Sequence, residues 1–349
     1  MADSIIQLGV IGCGWAGSQA VQAAKIVPRT TVLAVADVCL DKRQSVVKEF
    51  SVPEVYEDYH DLLENSQVDA VYLATSPIGR LQIVLDALKA GKHVLVQKPH
   101  AIRAPEILEM ESVAEGVGKI LQFCYFMRHA PHNRKVRMAV LSGQIGNPYH
   151  ARIFGKYNYI PPLDQNNRWL HAYGYKGGSL GQHYSHELDL AWWWMGCPNP
   201  IWTFGAKHTL YPVYNGPEGP AEDYFTGIVG LENEQTIQID CSRMNHSDSP
   251  TVIELYGSTG AIVNGKISRF HKGGFKHEEI DALPDLPHTE LQRDVPIFFY
   301  EIEHFAMAIA GEAEPDVSST DAYIFMKILD GLYDSARTGK QVIIKCRSQ

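Results

Sequence analysis

Gly12-Cys13-Gly14-Trp15-Ala16-Gly17 is a G-x-G-x-x-G that follows a strand-like apolar run and opens a helix-like one. The chemistry such spacing serves is the holding of a pyrophosphate. The first glycine permits a tight turn, the second lets backbone approach the phosphates, and the third lets helix and strand pack closely; the helix N-terminus then offers unpaired N–H groups to the anion. Asp37 stands twenty residues beyond Gly17, at the end of the next apolar run. A carboxylate there binds the adenosine ribose 2′-hydroxyl and repels a 2′-phosphate. NAD is therefore expected in preference to NADP, with Lys42 and Arg43 as the basic pair that would favour a 2′-phosphate.

A second chemical cluster is Gln182-His183-Tyr184-Ser185-His186-Glu187-Leu188-Asp189. Histidines three residues apart fit one helical face, which leaves a metal site open at this point. An imidazole also exchanges protons near neutral pH. Upstream lie Tyr157, Tyr159, Trp169, His171, Tyr173 and Tyr175. Their rings suit the C–H surface of a pyranose or a flat aglycone, or else packing in a core or subunit interface. Arg168 and Lys176 either reach a polar substrate or sit on the surface, and Trp192-Trp193-Trp194 reads as packing.

The chain that must position these groups has 349 residues, which suggests two domains. Its 31 Lys+Arg against 40 Asp+Glu give a net charge of −9, and no basic stripe is present, so nucleic acid is not an expected partner. The greasiest run, Leu188 to Met195, falls far short of the roughly 20 residues that span a bilayer, and no membrane partner is expected. Met1-Ala2-Asp3-Ser4 lacks the basic and apolar regions of a signal peptide. Six cysteines without C-x-x-C spacing read as reduced thiols, and the expected compartment is the cytoplasm.

Short runs rich in Val, Ile and Leu at Ile5–Ile11, Thr31–Asp37, Val68–Ala74, His93–Val96 and Ile120–Cys124 alternate with helical patterns. This beat predicts a parallel sheet with crossover helices. Arg80–Ala90 places Leu81, Val84, Leu85 and Leu88 on one stripe and stops at Gly91; Ala104–Gly116 repeats the pattern. Beyond about Phe126 the beat is lost, so domains at 1–125 and 126–349 are expected. Alternating runs at Ile201–Leu210, Tyr224–Leu231, Gln235–Cys241 and Thr251–Tyr256 predict antiparallel strands with one wetted face, followed by helices at Pro296–Ala310 and Ser318–Thr338 and a last strand Gln341–Lys345. The expected fold is α/β: an N-terminal doubly wound parallel sheet and a C-terminal α+β domain with an open, mostly antiparallel sheet.

Gly91-Lys92-His93-Val94-Leu95-Val96-Gln97-Lys98-Pro99 resembles the A-G-K-H-V-L-x-E-K-P segment of the Gfo/Idh/MocA family, which includes glucose-fructose oxidoreductase and inositol dehydrogenase. Further matches are Gly12–Gly17, Asp37, Ala74-Thr75-Ser76-Pro77, Arg128-x-x-Pro131, Gly143-x-Ile145-Gly146, Gly177-Gly178-Ser179-Leu180 and His186-x-x-Asp189. The resemblance implies a Rossmann domain, a C-terminal substrate and oligomerisation domain, and nicotinamide-linked redox chemistry on sugars or polyols. It implies cofactor contacts from Gly12, Cys13, Gly14, Trp15, Ala16, Gly17, Asp37, Thr75, Ser76, Arg80, Gln97 and Lys98.

In the family, the lysine of E-K-P lies beside the nicotinamide and hydrogen-bonds the reacting oxygen, a role that falls on Lys98. The signature D-x-G-x-H-x-x-D maps onto Gln182–Asp189, which makes His186 the expected general base. With His186 so explained, no metal is expected. Gln182 replaces the usual aspartate four residues earlier, on the same face of a regular helix, and cannot titrate, so acid–base work rests on His186 and Lys98. Gln97 replaces the glutamate of E-K-P, and Arg80 stands where many members carry histidine. Expected substrate contacts are Lys98, Arg128, Tyr157, Trp169, Gln182, His183 and His186.

The expected reaction is oxidation of a ring secondary hydroxyl of a sugar or glycoside, with C3 of a glucoside as the specific assignment. The alternatives are inositol oxidation and glycoside processing with tightly held, recycled NAD. A homodimer or homotetramer through the C-terminal sheet is expected, because an uncovered sheet face needs a partner.

Overall fold

Val, Ile, Leu and Ala fill the first sheet because its strands are covered on both faces. In the computed structural model, which describes residues 5–163, 168–211, 214, 216–244, 251–263, 266–271, 274–279, 296 and 298–346, these strands are β1 (Ile6–Ile11), β2 (Thr30–Ala36), β3 (Glu54–Tyr56), β4 (Ala70–Leu73), β5 (His93–Val96) and β6 (Leu121–Phe123). All pair in parallel, in the order β3-β2-β1-β4-β5-β6. Helices α1 (Trp15–Ala24), α2 (Leu40–Phe50), α3 (Tyr59–Glu64), α4 (Arg80–Lys89) and α5 (Ala104–Val117) connect them. Gly91 has φ +76°, the left-handed stop expected after α4. Strand order reverses between β1 and β4, and ligands bind outside the carboxyl ends of strands at such a point. The glycine loop follows β1 and Thr75-Ser76 follows β4, so the fold delivers both there.

The chain divides into two compact units, residues 1–126 with 291–323 and residues 127–290 with 324–349. The expected single boundary at 125/126 is thus incomplete. Helix α8 (Phe299–Ile309) returns to the first unit, where Phe298, Phe299, Ile302, Phe305 and Ala306 join one core with Val21, Ala24, Val35 and Tyr72. Its apolar stripe announces burial, but periodicity names no partner, and the partner is α1.

The second unit contains α6 (Pro131–Leu141), β7 (Pro148–Lys156), α7 (Ser185–Trp194), β8 (Pro200–His208), β9 (Tyr224–Leu231), β10 (Thr236–Ser242), β11 (Val252–Gly257), β12 (Gly260–Val263), β13 (Lys266–His271), β14 (Gly274–Glu279) and β15 (Val342–Ile343). A last helix, α9 (Ser319–Thr338), begins in the first unit and runs into the second. The sheet order is β14-β13-β12-β11-β7-β10-β9-β8-β15, with β7 and β10 parallel and the other pairs antiparallel. Ile237, Ile239 and Cys241 of β10 point inward and are fully buried, while Phe204 of β8 and Ile228 of β9 face outward and are exposed. No helix among the described residues is long and apolar enough to cross a membrane.

Candidate functional site

The cofactor loop is built from close backbone approach. Gly12 has φ +98°, and a Cβ there would lie 2.8 Å from the Ala74 carbonyl carbon; one at Gly17 would lie 1.8 Å from the Gly12 carbonyl oxygen. Gly14 differs, because a Cβ there meets nothing within 4 Å. The protein itself does not require glycine at that point, whereas an approaching pyrophosphate does. Asp37 accepts the Cys13 N–H at 2.6 Å on Oδ2 and the Cys39 N–H at 2.8 Å on Oδ1. Two backbone donors fix the carboxylate, and each oxygen keeps a lone pair for a ribose hydroxyl. Burial, and then the charge of Asp37, pushes the Cys13 thiol up to about 12, so it stays protonated.

Arg43 donates to the Asp37 carbonyl at 2.7 Å and pairs with Glu57 at 2.7 Å, so its guanidinium is committed where a 2′-phosphate would need it. Trp15 is 68% and Val38 81% exposed, and Leu40 and Ile78 are exposed as well. Exposed apolar side chains around a phosphate-binding turn suit the faces of an adenine. The glycine loop, Asp37 and these neighbours therefore fit NAD and would hold it.

Arg80 and Gln97, expected at the cofactor, are instead buried behind the loops. Arg80 Nη1 donates to the carbonyls of Gln97 and Pro99, and Nη2 to that of Thr75. It thereby straps the turn after β4 to the turn after β5. Burial lowers its pKa to about 10, still a cation at neutral pH. Gln97 donates through Nε2 to the Tyr72 hydroxyl at 2.6 Å and accepts the Lys98 N–H at 2.8 Å on Oε1. A glutamine performs both tasks at once, whereas a carboxylate has no N–H to give. Lys98 is half-buried at the end of β5, with its backbone fixed by these contacts.

In the second unit, the stretch Ser179–Tyr184 is a π-helical turn that leads directly into α7. The 3.6-residue repeat expected to stack Gln182 on His186 therefore does not hold through this turn. Its first four N–H groups have partners: Ser179 donates to the Glu222 carbonyl at 3.0 Å, Leu180 to Glu222 Oε1 at 2.9 Å, Gly181 to the Tyr333 hydroxyl at 3.1 Å and Gln182 to the Gly178 carbonyl at 3.1 Å. Gln182, His183 and His186 are half-buried. The Tyr157 ring lies 5.0 Å from that of His183, and Tyr159 is 6.1 Å beyond Tyr157. Both tyrosines are about half exposed, at 50% and 49%. Trp169 is half-buried in the preceding loop.

Arg128, expected at the substrate, is fully buried. It donates through Nε and Nη2 to the two oxygens of Asp189, at 2.8 and 2.6 Å, with the Trp192 and Trp193 rings each 5.8 Å away. This bidentate pair anchors α7, and its planar geometry explains the arginine. Lys176 is likewise buried and pairs with Asp330 at 2.9 Å. Arg243 pairs with Asp223 at 2.9 Å. Glu222, Tyr333, Asp223, Arg243 and Asp330 escaped sequence reasoning, since each reaches its partner from a remote element.

A parallel sheet in this order, with a glycine loop and a carboxylate at the ends of its first two strands, defines a dinucleotide-binding protein. The chain belongs to the Gfo/Idh/MocA oxidoreductase family: residues 6–125 match its NAD-binding Rossmann fold and residues 137–344 its C-terminal alpha/beta domain. It is 30% identical over 319 residues to myo-inositol 2-dehydrogenase of Thermotoga maritima, covering 90% of this chain and 92% of that one. It is 29% identical to 1,5-anhydro-D-fructose reductase of Ensifer adhaerens, covering 82% of each chain. The structure of levoglucosan dehydrogenase in complex with NADH superposes with a TM-score of 0.82 at 19% identity, covering 98% of this chain and all of that one. The protein is thus an NAD-binding oxidoreductase.

Proposed function

We propose that this enzyme oxidises, reversibly, a ring secondary hydroxyl of an uncharged sugar or glycoside, with C3 of a glucoside as the specific substrate position. The observation that carries the uncharged class is the pairing of three cations with carboxylates: Arg128 with Asp189, Lys176 with Asp330 and Arg243 with Asp223. Guanidinium and ammonium groups so engaged are not offered to a phosphate or carboxylate on a substrate. The exposed Tyr157 and Tyr159 supply apolar faces beside His183, suited to the C–H side of a sugar ring. Relatives that act on inositol, anhydrofructose and levoglucosan support the same class.

Bound NAD supplies the hydride acceptor. Lys98 hydrogen-bonds the reacting oxygen and stabilises its developing negative charge, while His186 receives the hydroxyl proton. Gln182 and His183 orient neighbouring hydroxyls without titrating Gln182. Inositol oxidation is the second reading, supported by the Thermotoga relative. The outward face of the second sheet, where Phe204 lies opposite Ile228 and Ile343 opposite Trp202, is proposed as the contact of a homodimer or homotetramer.

The test supplies sugars, inositols and glycosides with NAD and follows NADH absorbance together with product mass. Equimolar NADH and a 3-oxo glycoside are expected. A rate far higher with an inositol replaces the glucoside assignment, and product without NADH accumulation replaces net oxidation by internal recycling. Lys98→Ala should lower turnover by about 10²- to 10⁴-fold with NAD affinity retained. His186→Ala with near-wild-type rates at pH 7 would remove it as the base.

A further inference from the structure

We infer that Glu222 and the Tyr333 hydroxyl form a clamp that positions the catalytic turn of the second unit. The inference rests on reading His186 as the base of the proposed reaction.

The π-helical turn presents three successive N–H groups, at Ser179, Leu180 and Gly181, and a helix start gives such donors no partner within itself. All three end on two residues from elsewhere: Glu222, just before β9, takes two, and Tyr333 of α9 takes the third. The clamp is internally ordered as well. Tyr333 donates its hydroxyl proton to Glu222 Oε1 at 3.0 Å, and a hydroxyl has only one proton to give. That commitment turns an oxygen lone pair towards the Gly181 N–H. The carboxylate therefore acts twice, directly on Leu180 and through Tyr333 on Gly181.

Glu222 is fully buried, and burial pushes its carboxyl above the usual carboxylate range. The turn therefore rests on acceptor oxygens held at fixed positions rather than on a charge. The sequence around the turn is fitted to it. A Cβ on Gly178 would lie 2.1 Å from Glu222 Oε2, which explains the glycine before Ser179. One turn of α9 also holds the approach to the segment: Asp330 pairs with Lys176 at 2.9 Å, and the Tyr173 hydroxyl donates to the Tyr333 carbonyl at 2.7 Å. His186 follows Gly181 by five residues along one continuous helical path, so a displaced turn displaces the imidazole. A misplacement of about 1 Å can cost about 10²-fold in rate.

The experiment compares Tyr333→Phe, Glu222→Gln and Glu222→Leu with the full-length wild type, with NAD present. Amide hydrogen exchange is read at Leu180 and Gly181, together with NAD affinity and, on the substrate found in the screen, kcat and KM separately. Tyr333→Phe keeps the ring and loses only the hydroxyl. It should raise exchange at Gly181 at least about tenfold and lower kcat about tenfold, with KM and NAD affinity within about twofold. Glu222→Gln keeps an acceptor oxygen and should retain protection at Leu180 and kcat within about threefold, whereas Glu222→Leu should lose both. Wild-type protection at Gly181 and wild-type kcat in Tyr333→Phe would overturn the clamp. The exchange readout needs no substrate, so it decides the clamp even where the assignment of His186 fails.

Discussion

The cofactor loop of the first unit and the π-helical turn Ser179–Tyr184 of the second are assembled by different physics. The first depends on backbone: glycines that permit contact near 3 Å, N–H groups on Asp37, and carbonyls strapped by Arg80. The second depends on buried side chains, with Asp189, Asp223 and Asp330 each paired with a cation and Glu222 bonded to the Tyr333 hydroxyl, every partner coming from another element. Recognition of a pyrophosphate is the same problem in every dinucleotide-binding fold, so backbone geometry suffices for it. A substrate pocket must differ between relatives, and side chains held by ion pairs can be exchanged without altering the sheet beneath them.

If that contrast is correct, the largest effect belongs to the second unit. Arg128→Met removes the bidentate partner of the buried Asp189 and should destabilise the protein by about 3–5 kcal/mol. Adding Asp189→Leu should recover most of the loss in urea unfolding, and an additive double mutant would break the comparison.

The first unit provides the opposite case, a buried acid held neutral. Glu301 of α8 is fully buried, and burial pushes its carboxyl from 4.5 up to about 8. Between those values the folded protein holds a proton that the unfolded chain has released. This contribution to stability is complete below pH 4.5 and is lost as pH rises through 8, a change on the order of a few kcal/mol. Glu301→Gln should flatten that decline when unfolding is measured at pH 5 and pH 9; an unchanged decline would assign it to other groups.

The finest test separates two glycines of one loop. Gly14→Ala should leave the melting temperature of the free protein within about 1 °C and weaken NAD at least about tenfold, because only the ligand needs that space. Gly12→Ala should destabilise the free protein by about 1–3 kcal/mol, since φ is +98° and backbone lies 2.8 Å away. Equal effects at the two positions would erase the distinction.

Legibility in the sequence follows the same division. His93–Val96 reads as β5 because a run buried on both faces carries its own signal, and the glycine loop reads as a phosphate site because its spacing is local. β3 has only three residues at a sheet edge, too few to show a period. Glu222 and Tyr333 are 111 residues apart and Arg128 and Asp189 are 61 apart, so no local spacing could announce either pair. The family resemblance implies Arg80 and Gln97 as cofactor contacts, but their burial depends on partners at Thr75, Pro99 and Tyr72 that no local spacing announces. The π-helical turn went unseen because its composition does not differ from that of an ordinary helix start.

The return of α8 to the first unit has a consequence for the order of synthesis. Residues 1–126 emerge first, yet the face of α1 that meets Phe298, Phe299 and Phe305 stays uncovered until about 170 further residues have been made, roughly ten to thirty seconds at typical translation rates. The half of the molecule whose loop is written most plainly near the start of the chain is therefore among the last to be closed, and no single cut can release it whole.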